Sequence, residues 1–337
     1  MDTSSADDLV FSRLRSTWQP VALARALGPG QVRACRLLDH DLVVAQLEDG
    51  PAAWADGCPH RGARFGLGWS VGGTLVCPYH GWAFDRAGQC RSIPSQGGTC
   101  PAANGVRIAS YPCVERYGFI WVLLAGPAIA GIPSIPEFSD PAWTYVVAEP
   151  TPFATGFRRE VENYLDMSHF AFAHRETLGL AAATVIDRYQ VESMPDGVRM
   201  DAEFPALADG DRPPSKLQQA HHRIQRAWWP NVTTIRQIFP DGDQRVLVHI
   251  PAPISATSCI VYWSIAISPG FRGPAPADQL AFAVRVLEED RRMCENQRPL
   301  EVPLIGESAR YVSADRFPLA WRQGFAAWIR TEAGANR

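Results

Sequence analysis

Twelve residues near the middle of the chain combine metal-binding side chains with an apolar background. The segment from Asn163 to His174 reads Asn-Tyr-Leu-Asp-Met-Ser-His-Phe-Ala-Phe-Ala-His. A carboxylate at Asp166 and imidazoles at His169 and His174 need partners if they are buried among apolar neighbours. In a regular helix the two imidazoles would point about 140° apart. They can reach one metal ion only if the turn between them is distorted, and two core histidines with ordinary hydrogen bonds are the alternative.

Two earlier segments each pair a cysteine with a histidine. They read Cys58-Pro59-His60-Arg61-Gly62 and Cys77-Pro78-Tyr79-His80-Gly81-Trp82. Two hairpin turns of this kind would bring two sulfurs and two imidazole nitrogens together, which matches a Rieske [2Fe-2S] cluster with two histidines on one iron. Zinc is the alternative, although zinc fingers usually present a cysteine pair before a histidine pair.

Composition favours a two-domain protein that binds small molecules. The 337 residues carry a formal charge of −3, with no basic stripe for nucleic acid. The acidic start lacks the pattern of a signal peptide, and the most apolar run is too short to cross a membrane. We therefore expect a cytoplasmic protein whose eight cysteines are metal ligands or buried thiols rather than disulfides.

The element pattern predicts an α+β protein in three parts. Residues 17–125 contain short strands between Gly- and Pro-rich turns and read as an all-β domain. Residues 126–152 contain six prolines and read as an extended connection. In residues 153–337, alternating strand patterns from Thr184 to Ile267 predict an antiparallel sheet, and helical periodicity returns at Asp278 to Gln297. We expect the helices to cover one face of that sheet, with the metal between them.

These motifs resemble those of the Rieske non-haem iron oxygenases. Residues 17–125 are similar to their Rieske domain, and the segment from Asn163 to His174 is similar to their mononuclear iron motif. Respiratory Rieske proteins have one more cysteine in each loop, whereas Ala63 and Tyr79 stand in those stretches here. The resemblance implies the soluble oxygenase type, with a helix-grip-like catalytic domain. It also implies that the cluster ligands are Cys58, His60, Cys77 and His80. The implied iron ligands are His169 and His174, together with a carboxylate.

Helix geometry predicts which carboxylate completes the iron site. Within the run Glu288-Glu289-Asp290, only Asp290 falls on the apolar stripe of the late helix, and that stripe has no Lys or Arg. The stripe contains Ala283, Val286, Leu287, Met293 and Cys294. A buried carboxylate needs a cation, so Asp290 is predicted as the third ligand, as the family pattern also implies. Glu288 and Glu289 are predicted to face solvent among arginines, and a buried aspartate bonded to sheet backbone is the alternative for Asp290.

The resemblance is strongest to monooxygenases such as the vanillate and dicamba O-demethylases and the hydroxylases of paralytic shellfish toxin biosynthesis. Shared features are the compact spacing from Asn163 to His174, the run from Glu115 to Val122 and the late acidic helix. An iron held on one face leaves positions for O₂ and a small organic substrate. The chain has no G-x-G-x-x-G fingerprint, so a separate NAD(P)H-dependent reductase, with or without a ferredoxin, is implied. Hydroxylation and O- or N-demethylation stay open, and a dihydroxylating dioxygenase α subunit and a Rieske electron carrier are the alternatives.

Asp166 is predicted to contact an iron ligand rather than to bind the iron itself. A carboxylate three residues before His169 can hold its imidazole N–H, and helix capping is the alternative. In family members the matching aspartate also contacts a cluster histidine of the neighbouring subunit. The resemblance therefore implies a homotrimer with Asp166 and Asn163 among the catalytic residues.

Overall fold

The chain divides into two compact units. The computed structural model describes residues 3–98, 100, 105–178, 184–186, 189–206, 215–304 and 310–331. One unit comprises residues 12–131, and the other comprises residues 132–337 together with residues 1–11. None of the described helices combines the length and the apolar character that a membrane span requires.

The smaller unit is built from three antiparallel sheets. Its strands are β1 (Gln19–Leu23), β2 (Val32–Leu37), β3 (His40–Leu47), β4 (Gly50–Ala55), β5 (Trp69–Val71), β6 (Thr74–Val76), β7 (Ala83–Phe84), β8 (Cys90–Ser92), β9 (Ser110–Tyr111), β10 (Cys113–Arg116) and β11 (Phe119–Val122). The strand orders are β1-β11-β10, β2-β3-β4-β9 and β5-β6-β7-β8. Trp54, Phe65 and Phe84 are fully buried in one core cluster that also contains Cys58 and Cys77. The all-β architecture predicted here is confirmed, and its core supports both cysteine loops.

The described part of the larger unit contains one long sheet and five helices. Its elements, with helix α1 first, are α1 (Thr3–Leu14), β12 (Thr144–Val147), β13 (Thr151–Phe153), α2 (Phe157–Leu165), α3 (Phe170–Ala173), β14 (Gln190–Met194), β15 (Gly197–Phe204), β16 (His221–Trp228), β17 (Val232–Ile238), β18 (Gln244–Ser255), β19 (Ser258–Ile267), α4 (Pro276–Asn296) and α5 (Arg316–Arg330). The antiparallel sheet has the order β12-β19-β18-β17-β16-β15-β14, and β13 also pairs with β19. Helices α2, α4 and α5 all contact strands of this sheet. The predicted α+β class, with an antiparallel sheet and covering helices, is confirmed.

Part of the segment predicted as a connection belongs to the sheet. Thr144–Val147 forms strand β12, whose residues pair with Ser264 to Ile267 of β19. The run Thr-Tyr-Val-Val has the β-branched and aromatic residues that favour a strand, even though prolines stand on both sides of it. Pairing at an edge of the sheet therefore extends into the proline-rich stretch.

One face of the long sheet is buried against the helices. Along β16 buried and half-buried residues alternate, as the two-residue period of a strand requires. Arg223 lies opposite Gln237 of β17, which lies opposite Arg245 of β18. The three side chains therefore form one row on the buried face. His221 is buried on this face, whereas His222 points the other way and pairs with Asp201 at 2.7 Å.

Candidate metal centres

The two cysteine loops of the smaller unit have the same backbone fold. In the first, Gly62 N–H donates to the Cys58 carbonyl at 2.8 Å, and in the second Gly81 N–H donates to the Cys77 carbonyl at 3.0 Å. Each cysteine N–H in turn donates to the carbonyl five residues on, at 2.9 and 2.8 Å. Both glycines have a φ of 71°, a left-handed conformation that other residues rarely adopt. This explains why a glycine ends each motif.

The donor set of these loops fits an iron–sulfur cluster. Cys58 and Cys77 are buried, whereas His60 and His80 are exposed and their ring centroids lie 4.6 Å apart. The Trp82 ring stacks on His60, with 4.5 Å between the ring centroids. Burial raises the pKa of the Cys58 thiol to about 11. A thiolate therefore needs a cation beside it, and two thiolates with two imidazoles are the ligands of a Rieske cluster.

A break in the helix precedes the two histidines of the motif. Helix α2 ends at Leu165, and Asp166 is extended, with φ −77° and ψ 138°. The chain then restarts as the one-turn helix α3, whose flanking residues are His169 and His174. The break therefore precedes both histidines, and the turn between them is helical, so the distortion predicted between them is not found there. Only His174, at the end of that turn, departs from helical dihedral angles, with φ −103° and ψ 23°.

Three side chains meet at this break. The Nε2 atoms of His169 and His174 lie 3.1 Å apart. Asp290 of α4 places its Oδ1 atom 3.3 Å from the first nitrogen and 3.2 Å from the second. Among the described residues these three form the one group of His, Cys, Asp or Glu side chains whose ligand atoms all lie within 4.8 Å of one another, as a single metal ion requires. The structure thus brings together the two histidines and the aspartate that the sequence singled out.

The outer nitrogens of both imidazoles show which atoms face the centre. His169 Nδ1 lies 3.2 Å from Asp166 Oδ2, and His174 Nδ1 lies 2.9 Å from Glu289 Oε2. Ionised carboxylates only accept hydrogen bonds, so each Nδ1 carries a proton and each Nε2 faces the centre, where a bound metal would take its lone pair. Two lone pairs and a carboxylate oxygen would repel one another without a cation between them. The arrangement fits a divalent metal held by two imidazoles and one carboxylate.

Electrostatics of the centre also favour a cation. Burial raises the pKa of Asp290, but hydrogen bonds with His169 and His174 outweigh it and hold the pKa below its usual value. Burial lowers the pKa of His169, yet its contacts with Asp166 and Asp290 raise it to about 9 overall. Asn163 Nδ2 donates to Asp290 Oδ1 at 2.8 Å and fixes the carboxylate in place. The site therefore stabilises positive charge.

The expectation that Glu289 faces solvent is wrong. Its side chain is 15 % exposed, and it accepts hydrogen bonds from His174 and, at 2.6 Å, from the Thr177 hydroxyl. Glu289 lies about 100° around the helix from Asp290. Helix α3 packs against α4 and also covers the side of α4 that carries Glu289. Glu288 pairs with Arg291 at 2.7 Å and with Arg292 near the surface, as expected. Met293, expected on the apolar stripe, is 43 % exposed because it lines an open groove.

We expect Glu289→Gln to weaken iron binding at the centre. The amide can no longer accept a strong, charge-assisted hydrogen bond from His174, and such outer contacts typically contribute about 10- to 100-fold in metal affinity. The measurement is iron retention against a chelator, followed for Glu289→Gln and for the matched control Glu288→Gln. Equal retention in the two variants would show that the contact with His174 does not support the metal.

A small cavity adjoins the three metal-binding side chains. It has a volume of about 140 Å³ and lies within the larger unit, between the buried sheet face and helices α2 to α4. Its apolar lining includes Phe170, Phe204, Ile235, Leu247 and Trp263. A ligand in this cavity would lie against the metal, as a substrate of an oxygenase must.

Comparison with protein families agrees with both sites. The Rieske [2Fe-2S] domain model matches residues 17–112. The model of the vanillate O-demethylase oxygenase C-terminal domain matches residues 153–331, which is more than half of the chain. The smaller unit with its cysteine loops and the larger unit with its iron centre therefore each correspond to a known domain.

Individual relatives and solved structures agree with these two domain matches. Methylxanthine N3-demethylase of Pseudomonas putida is 29% identical over 325 residues, covering 92% of this chain and 88% of the relative. The oxygenase component of dicamba O-demethylase of Stenotrophomonas maltophilia is 36% identical over 183 residues, covering 53% of this chain and 52% of the relative. The structure of NdmA from Pseudomonas putida CBB5 superposes with a TM-score of 0.80 at 26% identity, covering 95% and 90% of the two chains. Dicamba monooxygenase bound to dicamba gives 0.79 at 25% identity, with 94% and 97% covered.

Fold and donor sets together define a two-domain iron oxygenase. The chain belongs to the Rieske non-haem iron oxygenases that carry the vanillate O-demethylase type of C-terminal domain. It is a monooxygenase of this family, and its cofactors are a Rieske [2Fe-2S] cluster and a mononuclear iron. The second domain argues against a simple electron carrier, and the named relatives favour a monooxygenase over a dihydroxylating dioxygenase.

Proposed function

We propose that this chain is the oxygenase component of a system that removes a methyl group from, or hydroxylates, a small organic substrate. His169, His174 and Asp290 hold the iron, and Cys58, His60, Cys77 and His80 hold the cluster. The observation that carries the proposal is the convergence of two imidazole lone pairs and one carboxylate oxygen beside a small, largely apolar cavity.

Each residue of the centre has a defined task in this proposal. The iron, when bound, supplies the site at which O₂ is activated. Asp166 and Glu289 hold the outer nitrogens of the two histidines, so both rings keep their inner lone pairs directed at the metal. Asn163 holds the Asp290 oxygen through its amide. The apolar cavity wall excludes water and places the substrate carbon against the centre.

Demethylation is the reaction that we propose first, because several relatives are named as demethylases. One oxygen atom of O₂ enters a C–H bond of an O- or N-methyl group, and the other leaves as water. Two electrons and two protons are consumed, and the hydroxylated methyl group then separates as formaldehyde. The [2Fe-2S] cluster, held by Cys58, His60, Cys77 and His80, would supply these electrons one at a time, and NAD(P)H would be their source through a separate reductase, with or without a ferredoxin.

Product analysis tests this function. The holoenzyme is incubated with NADH, a generic ferredoxin reductase system and panels of methoxylated arenes and N-methylated heterocycles under ¹⁸O₂. We expect formaldehyde in proportion to NADH consumed, and about three irons per chain in the purified protein. Label in a product that keeps its methyl carbon would establish hydroxylation instead. Two irons per chain with no oxygenated product would contradict the oxygenase assignment.

We also propose the domain limits and the assembly. Residues 17–125 form the Rieske domain and residues 153–337 the catalytic domain, while residues 126–152 connect them and add β12 to the catalytic sheet. A [2Fe-2S] cluster together with eight cysteines suits the reducing cytoplasm. Asp166 lies in an open groove of about 660 Å³, where its side chain is 25% exposed. We propose that a cluster histidine of a neighbouring subunit docks there, in a homotrimer.

Replacing Asp166 with alanine should stop electron transfer without removing either metal. The carboxylate contacts His169 from within the open groove, so its loss interrupts the proposed bridge between cluster and iron. Stopped-flow absorption should show that the reduced cluster of Asp166→Ala is reoxidised by O₂ and substrate much more slowly than in the unaltered protein. Glu176→Ala, an exposed acidic residue of the same groove, is the matched control. Normal reoxidation in Asp166→Ala would remove the bridge, and an active monomer in light scattering would remove the trimer.

A further inference from the structure

Three hydrogen-bond donors on the cavity wall have no acceptor to match them. Arg223 and Arg245 line the cavity and are 4% and 5% exposed, and Tyr164 lies beside them. The Nε atoms of both arginines and the hydroxyl of Tyr164 are buried without a hydrogen-bond partner among the described residues. Unpaired donors in a buried position are unusual, so each of them calls for a physical explanation.

The two guanidinium groups also lack a negative partner. Arg223 lies 5.1 Å from the Phe170 ring and 5.0 Å from the Phe204 ring, and Arg245 donates to Gln237 Oε1 at 3.1 Å. Within the part of the chain that the structure describes, no carboxylate forms an ion pair with either one. Arg226, on the same strand but the opposite face, pairs with Asp196 at 2.8 Å. The missing partner is therefore a property of the cavity face, not of arginines on this strand in general.

Acidic groups near the cavity are already engaged. Glu160 pairs with His249 at 2.8 Å, and Asp290 contacts both iron-binding histidines. His221 contributes no compensating or additional charge, because burial lowers its pKa to about 4. Burial lowers the pKa of Arg223 and of Arg245 to about 10, so both remain protonated at neutral pH. Two positive charges thus stand in one cavity wall.

The register of the sheet places the two arginines close enough to bind the same ligand. Arg223, Gln237 and Arg245 are direct neighbours across β16, β17 and β18, on the face that lines the cavity. Gln237 also contacts His221 Nε2 at 3.1 Å, which fixes the amide between the two guanidinium groups. Guanidinium groups donate but cannot accept hydrogen bonds, so a ligand between them must bring acceptor oxygens and negative charge.

We propose that Arg223, Arg245 and Tyr164 form a subsite for a carboxylate of the substrate, which makes the substrate a small, single-ring organic acid. This inference rests on the proposed function, since it assumes that the cavity holds the substrate of the iron centre. The carboxylate lies against the sheet wall, and the rest of the ring fills the apolar part of the cavity between the sheet and α4. The reacting methyl group then faces His169, His174 and Asp290. A volume of about 140 Å³ is close to that of cavities that bind a single benzene ring, so it suits one ring rather than a larger molecule.

Calorimetry on the oxidised holoenzyme, without reductase or NADH, tests the subsite. The two probes are 4-methoxybenzoate and 4-methoxybenzamide, which share the ring and the methoxy group and differ in charge. We expect the acid to bind at least about tenfold more tightly than the amide, because only the acid neutralises the buried arginines. Arg223→Met and Arg245→Met should each bring this ratio close to one. Arg226→Met is the matched control and should leave the ratio unchanged.

Several outcomes would overturn the subsite. Equal affinity of the unaltered protein for the acid and the amide would contradict the subsite. Failure of both probes to bind to the unaltered protein would also contradict it. A ratio that survives in both methionine variants would place the selectivity elsewhere. Chloride that competes with 4-methoxybenzoate at equal concentration would mean that the arginines bind a simple anion. The proposed function fails separately, if the acid binds selectively but no tested acid or neutral substrate is oxidised.

Discussion

Replacing Asp290 with alanine should remove the mononuclear iron and leave the visible spectrum of the cluster unchanged. Asp290 Oδ1 is the carboxylate oxygen that lies near both inner histidine nitrogens, at 3.3 and 3.2 Å. Without it the site keeps two imidazoles and has no carboxylate facing the metal position. Two nitrogens bind iron far more weakly than two nitrogens with a carboxylate, so turnover should fall to the background rate.

The experiment separates the two metals by method. Iron analysis should fall from about three to about two irons per chain, and the cluster absorption should stay constant. Asp290→Asn is a second variant, which keeps the side-chain shape and its contact with Asn163 but removes the charge. Glu288→Ala is the matched control, since Glu288 pairs with arginines at the surface of the same helix. Full iron content in both Asp290 variants would mean that the third ligand lies elsewhere.

Loss of either cluster histidine should abolish the visible absorption of the cluster. His60 and His80 are exposed at the tips of their loops with ring centroids 4.6 Å apart, while both cysteines are buried beneath them. In a Rieske cluster the two histidines hold the same iron, so removal of one leaves that iron with a single protein nitrogen. We therefore expect His60→Ala and His80→Ala to lose the cluster and all turnover, because no electrons reach the second iron.

Controls for this result lie in the same loop. Arg61→Ala removes an exposed side chain next to His60 and should keep the cluster, since Arg61 donates no side chain to the metal site. Circular dichroism should show that the histidine variants remain folded, because the core of Trp54, Phe65 and Phe84 does not depend on the exposed imidazoles. A full cluster spectrum in both histidine variants would remove the ligand assignment. Zinc in place of iron in the unaltered protein would contradict the cluster itself.

Local periodicity was enough to identify most of the iron centre. Asp290 could be distinguished from Glu288 because successive residues of a helix are separated by a fixed angle and only one side of α4 is apolar. The expectation of a distorted turn between His169 and His174 followed from the same angle, but the structure breaks the helix before His169, at Asp166, and keeps the intervening turn helical. All of these conclusions depend on neighbours within a few residues along the chain.

Contacts between distant segments decided the rest. Glu289 reaches His174 only because α3 packs on α4, more than one hundred residues later in the chain, and no local period contains that information. The row of Arg223, Gln237 and Arg245 depends on strand register, which pairing across the whole sheet sets. Helix α5, with Trp321 and Phe325 fully buried, was not predicted at all. The sequence by itself determined the metals and the side chains that can bind them. The tertiary structure decided which carboxylates hold the histidines and which charges line the cavity, because burial and pairing depend on segments that are far apart in the chain.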